Sequence, residues 1–191
     1  MRDSGFGPKS SSIEGYISTD PPSVSEEEGI VFDFNPGELN DDESIDLKST
    51  QNVKWVAKLG SQAYGNVTIG EGKVLVGTNN ESPRDSKKEG DRGVVMCFDE
   101  KTGSFEWQLV IPKLGAGKVS DWEYIGVCSS AAIEDGKAYV VTNRCEVICL
   151  DLNGLSDGND GTFKKEESYV RPNGSLDPLN LQTAADLIWC Y

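Results

Sequence analysis

The sequence predicts an all-β protein assembled from repeated antiparallel units, and three observations carry that expectation. From residue 51 onward, short β-branched and aromatic runs alternate with Gly, Asn and Asp, as strands joined by turns do. Glycine is abundant, at 21 of 191 residues, and no stretch shows a helical period. Two segments then recur in the same order. Gly72-Lys73-Val74-Leu75-Val76-Gly77-Thr78-Asn79 returns 64 residues later as Gly136-Lys137-Ala138-Tyr139-Val140-Val141-Thr142-Asn143. Val95-Met96-Cys97-Phe98-Asp99 returns 52 residues later as Val147-Ile148-Cys149-Leu150-Asp151, and Trp55 to Trp107 is the same step of 52.

The two offsets differ because the first unit carries the longer hairpin loop, Asn80–Arg92, which is polar and charged. Candidate strands follow from the pattern: Val53–Leu59, Asn66–Ile69, Lys73–Thr78, Gly93–Phe98, Phe105–Ile111, Ser129–Ile133, Lys137–Thr142, Glu146–Leu150 and Asp186–Tyr191. Residues 1–50 read instead as an acidic, mostly disordered tail or linker, with 12 acidic against 3 basic side chains and many Ser, Pro and Gly. Within that tail Ile30–Phe34 is a short strand candidate able to add to a sheet edge.

Composition narrows the function. A net charge of −14 excludes a phosphate-binding surface of the nucleic-acid or anionic-membrane kind, which needs clustered Lys and Arg. No apolar run approaches the roughly 20 residues that span a bilayer. The first 30 residues lack the basic start and apolar stretch of a secretory signal, so the chain reads as unexported unless its true start lies elsewhere. With no histidine, His-based acid–base chemistry and His-ligated zinc are excluded. The five cysteines, Cys97, Cys128, Cys145, Cys149 and Cys190, form no C-x-x-C pair. Cys97 and Cys149 hold equivalent repeat positions and are expected to pack as small buried side chains; Cys145, two and four residues from Val147 and Cys149, is expected to pack on the same face. One disulfide stays possible in an exported protein.

The segment Cys97-Phe98-Asp99-Glu100-Lys101-Thr102-Gly103-Ser104-Phe105-Glu106-Trp107 has a physical logic. Asp99 ends a strand and can accept bonds from the turn backbone, and Thr102 and Gly103 make the turn, Gly supplying a positive φ. Lys101 points to water. Trp107 returns on the next strand, where its ring can lie on a neighbouring unit while its indole N–H finds a backbone acceptor.

This segment resembles the tryptophan-docking repeat of quinoprotein-type, pyrroloquinoline-quinone (PQQ)-like β-propellers, Ala-x-Asp-x-x-Thr-Gly-x-x-x-Trp, with Cys97 in place of Ala. Asp151-Leu152-Asn153-Gly154 looks like a degenerate second copy, followed by an insertion before Trp189. Residues 52–191 are similar to the PQQ-binding-like propellers common in planctomycete-type bacteria, through Asn52–Gly60, Gly90–Trp107, Val140–Asn143 and Asp151–Gly161. The resemblance implies an incomplete propeller domain over residues 51–191, with about two four-stranded antiparallel blades plus the start of a third. Trp55, Trp107 and Trp189 each begin or close a blade. Asn66–Ile69 and Ser129–Ile133 flank the central channel.

Two functions follow from the resemblance. One is a binding or scaffold module for a protein or polymer ligand such as a polysaccharide, with missing blades or a second copy meeting the open blade faces. The alternative is a fragment of a PQQ- and calcium-dependent oxidoreductase of the periplasm or secreted space. PQQ and calcium enter by resemblance only, and no catalytic residue can be assigned. Channel-mouth ligand candidates are Tyr64, Asn66, Ser129, Ser130, Asn143 and Arg144. Trp122 and Tyr124 form an aromatic pair, read as packed beneath a loop more readily than as a contact surface. The oxygen-rich loop Asp151–Gly161 offers weak calcium ligands in Asp151, Asn153, Asp157 and Asn159. Its EF-hand match fails at Leu155 and Thr162, so a plain interblade turn is expected there.

Overall fold

Strand follows strand through most of the computed structural model, which describes residues 35–41, 45–115, 122–170 and 179–191 and the backbone pairing of 15–17. The elements are β1 (Gly15–Ile17), β2 (Glu38–Leu39), β3 (Ile45–Asp46), β4 (Trp55–Ala57), β5 (Thr68–Gly70), β6 (Lys73–Asn79), β7 (Arg92–Asp99) and β8 (Phe105–Pro112). They continue with β9 (Ala132–Glu134), β10 (Lys137–Val141), β11 (Val147–Asp151), a 3-10 turn at Gly154–Ser156, α1 (Glu166–Val170) and β12 (Asp186–Cys190). Two antiparallel four-stranded sheets result, β5-β6-β7-β8 and β9-β10-β11-β12, each a meander in chain order. β1 pairs with β4 and β2 with β3 in small two-stranded sheets.

Tight hairpins set the repeat. Glu71-Gly72 and Asp135-Gly136 both take positive φ, 51° and 78° in the first pair and 51° and 71° in the second. Two positive φ values match the right-handed twist of the flanking strands. Each second sheet edge also carries a bulge at the same place, between Cys97 and Phe98 in one sheet and between Cys149 and Leu150 in the other. The bulges keep Cys97 opposite Trp107 and Cys149 opposite Trp189.

The first sheet is buried on both faces, because side chains alternate across a strand. Val74, Val76, Val94, Met96, Phe98 and Val110 pack toward Trp55 and Leu59. Leu75, Val95, Cys97, Trp107, Leu109 and Ile111 pack against Ala138, Val140, Ile148, Leu150 and Leu187 of the second sheet. Successive sheets stacked face on face in chain order are blades, and the chain is a partial β-propeller. Three of the four tryptophans lie on outermost strands and close their sheets: Trp55 on β4, Trp107 on β8 and Trp189 on β12. On the N-terminal side β4 covers the rear face of the first blade.

The insertion ahead of Trp189 protects an edge. Gln108 of β8 donates its backbone N–H to Thr183 O (3.0 Å) and accepts one from Ala185 (3.1 Å). The Arg92 guanidinium donates to Val170 O at the end of α1 (3.2 Å). Covering the outermost strand in this way removes a template for unwanted pairing.

The inner strands start later than their patterns suggest, at Thr68 and Ala132 instead of Asn66 and Ser129. The residues before them bond outside the ladder, Asn66 to Ser130 of the second blade and Ser129 to Val141 of its own. β4 is shorter than Val53–Leu59, and Ile30–Phe34 lies outside the described residues. Cys97 and Cys149 are buried. Cys145, however, is exposed, because it sits in the β10–β11 turn with φ 61° and not on the strand. None of the five cysteines forms a disulfide.

Candidate functional site

Two sets of residues that the sequence singles out lie at opposite ends of the blades, since each antiparallel strand reverses direction. One end carries the turns after β7 and β11, and the other carries the starts of β5 and β9 with the β6–β7 and β10–β11 connections.

At the first end the turn after β7 is built around Asp99. Its Oδ1 accepts from Lys101 N (3.1 Å), Thr102 N (2.8 Å) and the Thr102 hydroxyl (2.7 Å). The Thr102 bonds, hydroxyl first, hold the Asp99 carboxyl below its ordinary pKa. Trp55 lies on this turn. Its indole N–H donates to Glu100 O (2.9 Å), and a Cβ placed on Gly103 would stand 2.4 Å from the ring. The same contact recurs one blade on. Trp107 donates to Leu152 O (2.8 Å), 45 residues along as before, and a Cβ on Gly154 would meet its ring at 2.8 Å. Glycine is needed at both positions for a positive φ (71° and 64°) and for the space the indole fills. Trp189 lies against Tyr139 and Tyr191, at centroid distances of 6.0 and 5.3 Å.

At the other end three of the six candidate ligand residues, Asn66, Ser130 and Asn143, join the two blades. Asn66 N donates to Ser130 Oγ (2.9 Å), and the Thr68 hydroxyl donates to Ala131 O (2.8 Å). Ser129 Oγ both donates to Val141 O (2.7 Å) and accepts from Val141 N (3.1 Å). Asn143 Nδ2 reaches Pro112 O of the first blade (3.3 Å), with its Oδ1 beside Gly93, where a Cβ would stand 2.2 Å away. Arg144 turns to Glu146 (Nε–Oε1 3.1 Å), and Tyr169 of α1 donates to Glu146 Oε2 (2.7 Å). Burial first, then this bond to Glu146, raises the Tyr169 phenol pKa. The six candidates share one end of the two blades, and their hydrogen bonds run to neighbouring strands and turns. Tyr64, Asn66 and Ser130 are exposed, and the Tyr64 hydroxyl donates to Gln62 Oε1 (2.9 Å).

The exposed aromatic surface at this end is larger than sequence reasoning allowed. Trp122 is 66% exposed and Tyr124 is also exposed, which overturns their reading as packed beneath a loop. The chain holds the pair out by its backbone: Tyr124 O accepts from Asn79 Nδ2 (2.6 Å), Tyr124 N donates to Asp91 Oδ2 (2.9 Å), and Trp122 O accepts from Lys113 Nζ (2.5 Å). Asn79 N and the Thr78 hydroxyl donate to Gln62 O, so Tyr64 and Tyr124 are anchored to the same end of β6. The positive φ of Tyr124 (55°) is not legible in the sequence.

The loop after β11 is a turn that continues into the insertion. Asp151 Oδ1 accepts from Asn153 N (2.7 Å), Asn153 Nδ2 donates to Asp157 Oδ2 (2.9 Å), and Lys164 Nζ donates to Asn159 Oδ1 (2.5 Å). Asp151 is shifted opposite to its counterpart Asp99. Burial, followed by the charges of Asp157 and Asp160, raises its pKa. No Thr equivalent to Thr102 stands there to hold it down. Among the described residues no three His, Cys, Asp or Glu side chains are grouped to hold a metal. No helix among them is long and apolar enough to cross a membrane.

No family model matches the sequence, and no curated protein matches it. Among solved structures the chain is similar to BamB from Moraxella catarrhalis, at 19% identity and a TM-score of 0.38. The match covers 53% of this chain and 24% of BamB, so the chain spans about a quarter of that structure. The assignment as a partial β-propeller rests on the two stacked four-stranded sheets themselves.

Proposed function

We propose that this chain is a PQQ-like β-propeller segment of the tryptophan-docking type that acts as a binding or scaffold module for a protein or polymer ligand. The carrying observation is the aromatic surface of Tyr64, Trp122 and Tyr124 at the loop end of the blades. Flat aromatic faces held by backbone bonds at the rim of a rigid scaffold suit stacking against sugar rings or apolar side chains. The repeated indole-on-glycine contact supports the tryptophan-docking reading, since it serves blade stacking and leaves the loops free.

The forward face of the second blade is the proposed meeting surface for further blades or a second copy. Val147 is 44% and Tyr191 86% exposed, whereas their counterparts Val95 and Leu109 are buried against the second blade. On this reading PQQ takes no part. The test is fluorescence titration of the full chain with soluble polysaccharides and, separately, with PQQ plus calcium chloride. A saturable polysaccharide response lost in Trp122→Ala supports the module. A saturable PQQ and calcium response with none from any polysaccharide would overturn it in favour of the oxidoreductase.

A further inference from the structure

The two blades differ at one matched position. In the second blade Asp151 and Asp186 stand directly opposite each other across β11 and β12. In the first, the same step past Phe98 and Phe105 brings Asp99 to Ser104, whose carbonyl accepts from Asp99 N (2.9 Å). Residues directly opposite on antiparallel strands put their side chains on one face, and like charges so placed are destabilising. Asp186 is 0% exposed. Its Oδ2 accepts from Asp160 N (2.8 Å), while its Oδ1 is buried without a hydrogen-bond partner. An ionised carboxylate only accepts, whereas the protonated acid also donates, and a buried charge without a partner is strongly unfavourable.

Both members of the pair adjoin the main-chain contacts that join the blades. Asp151 precedes Leu152, whose carbonyl takes the Trp107 indole N–H (2.8 Å). Asp186 follows Ala185, whose N–H donates to Gln108 O of β8 (3.1 Å). The segment between them is itself closed by Leu155 N donating to Ala184 O (2.9 Å). The charged groups around the pair act mostly in one direction. Burial above all, then the charges of Glu166 of α1 and Asp151, raises the Asp186 pKa; the Asp160 N bond and Lys164 oppose them. Burial, then Asp157 and Asp160, raises that of Asp151, against the Asn153 N bond and Lys137 of β10.

We propose that the Asp151–Asp186 pair is a proton-operated latch on the blade junction. With one proton held on Asp186 the corner stays closed. Loss of that proton to solvent leaves two facing carboxylates and loosens the contacts of β8 with Leu152 and Ala185. A raised folded-state value means that this contribution to stability is fully present below the unfolded value of about 3.9 and is lost as pH rises through the folded one. The first blade, with Ser104 at the matched place, has no such latch, so Trp55 on its turn is the internal control. The latch is independent of the proposed loop-end ligand surface.

The test uses the full chain and Asp186→Asn, which keeps the side-chain shape but cannot ionise. NMR of the carboxyl carbons should show Asp186 of the parent titrating above the ordinary value of about 3.9. The Trp107 indole N–H resonance should move with that titration in the parent and stay still in the variant, while Trp55 follows it in neither. In urea unfolding the parent should lose stability relative to the variant as pH rises. The expected loss is about tenfold in the unfolding constant for each pH unit by which the Asp186 titration exceeds the ordinary value. Should Asp186→Asn fail to fold, Asp186→Ser, which copies the first blade, takes its place. Asp186 titrating at or below the ordinary value would overturn the proposal from the parent alone. Parallel stability profiles would also overturn it, as would a Trp107 resonance that moves alike in parent and variant or does not move in the parent.

Discussion

Replacing Gly154 by alanine isolates what holds one blade to the next. Two costs combine. At φ 64° an L side chain is strained by roughly 1–2 kcal/mol. The new methyl would also lie 2.8 Å from both the Trp107 ring and Ala184 O, and overpacking of that kind costs roughly 1–3 kcal/mol. The sum is about 2–5 kcal/mol, a large share of the roughly 5–15 kcal/mol by which domains are stable. Gly136 supplies the control: its φ is 71°, but nothing lies within 4 Å of its added Cβ, so Gly136→Ala carries the strain alone. Urea unfolding followed by tryptophan fluorescence reads both. The expected result is that Gly154→Ala loses about 1–3 kcal/mol more than Gly136→Ala. Equal losses would refute the claim that Gly154 makes room for the indole.

Three other outcomes follow from the same geometry. Trp107→Phe keeps a ring but leaves the buried Leu152 carbonyl without its donor, so it should cost about 1–3 kcal/mol in urea unfolding, while Trp122→Phe changes stability by less than about 0.5. A thiol reagent should modify Cys128 and Cys145 in the folded protein, and Cys97 and Cys149 only after unfolding, because the latter are buried and burial raises their thiol pKa. Thr102→Val should raise the Asp99 pKa toward the ordinary carboxylate value, read by NMR titration of the carboxyl carbon. Asp99, depressed in the folded state, contributes stability above the unfolded value of about 3.9, lost as pH falls through the folded value, so the variant should lose less stability on acidification.

Much of the fold was legible because local chemistry and tertiary packing agree. The Gly-Lys repeats mark the tight hairpins, the Cys-x-Asp repeats mark the third strands, and the 52-residue spacing of Trp55 and Trp107 gives the blade step. Other features depend on three-dimensional neighbours. Asn66 and Ser130 look like strand residues, yet their interblade bond delays the ladder. Cys145 fits a strand pattern but falls on a turn. The pairing of β1 with β4 joins residues about 40 apart, and three residues carry too little pattern to announce it. The candidate ligand residues fall together at one end of the blades because of their position before or between strands. Their bonding to adjacent blades could not be read from one sequence, because the blade-to-blade distances decide it. Trp122 was misjudged because an isolated aromatic gives no sign of which way its loop turns it.

The central claim is that the two sheets are blades stacked through Trp107 on the turn that follows β11. Hydrogen exchange at the four tryptophan indole N–H groups, resolved by NMR, tests it most directly. The account predicts slow exchange at Trp107, whose N–H is buried on Leu152 O, intermediate protection at Trp55, and fast exchange at the exposed Trp122. Exchange at Trp107 as fast as at Trp122 would contradict the stacked-blade structure.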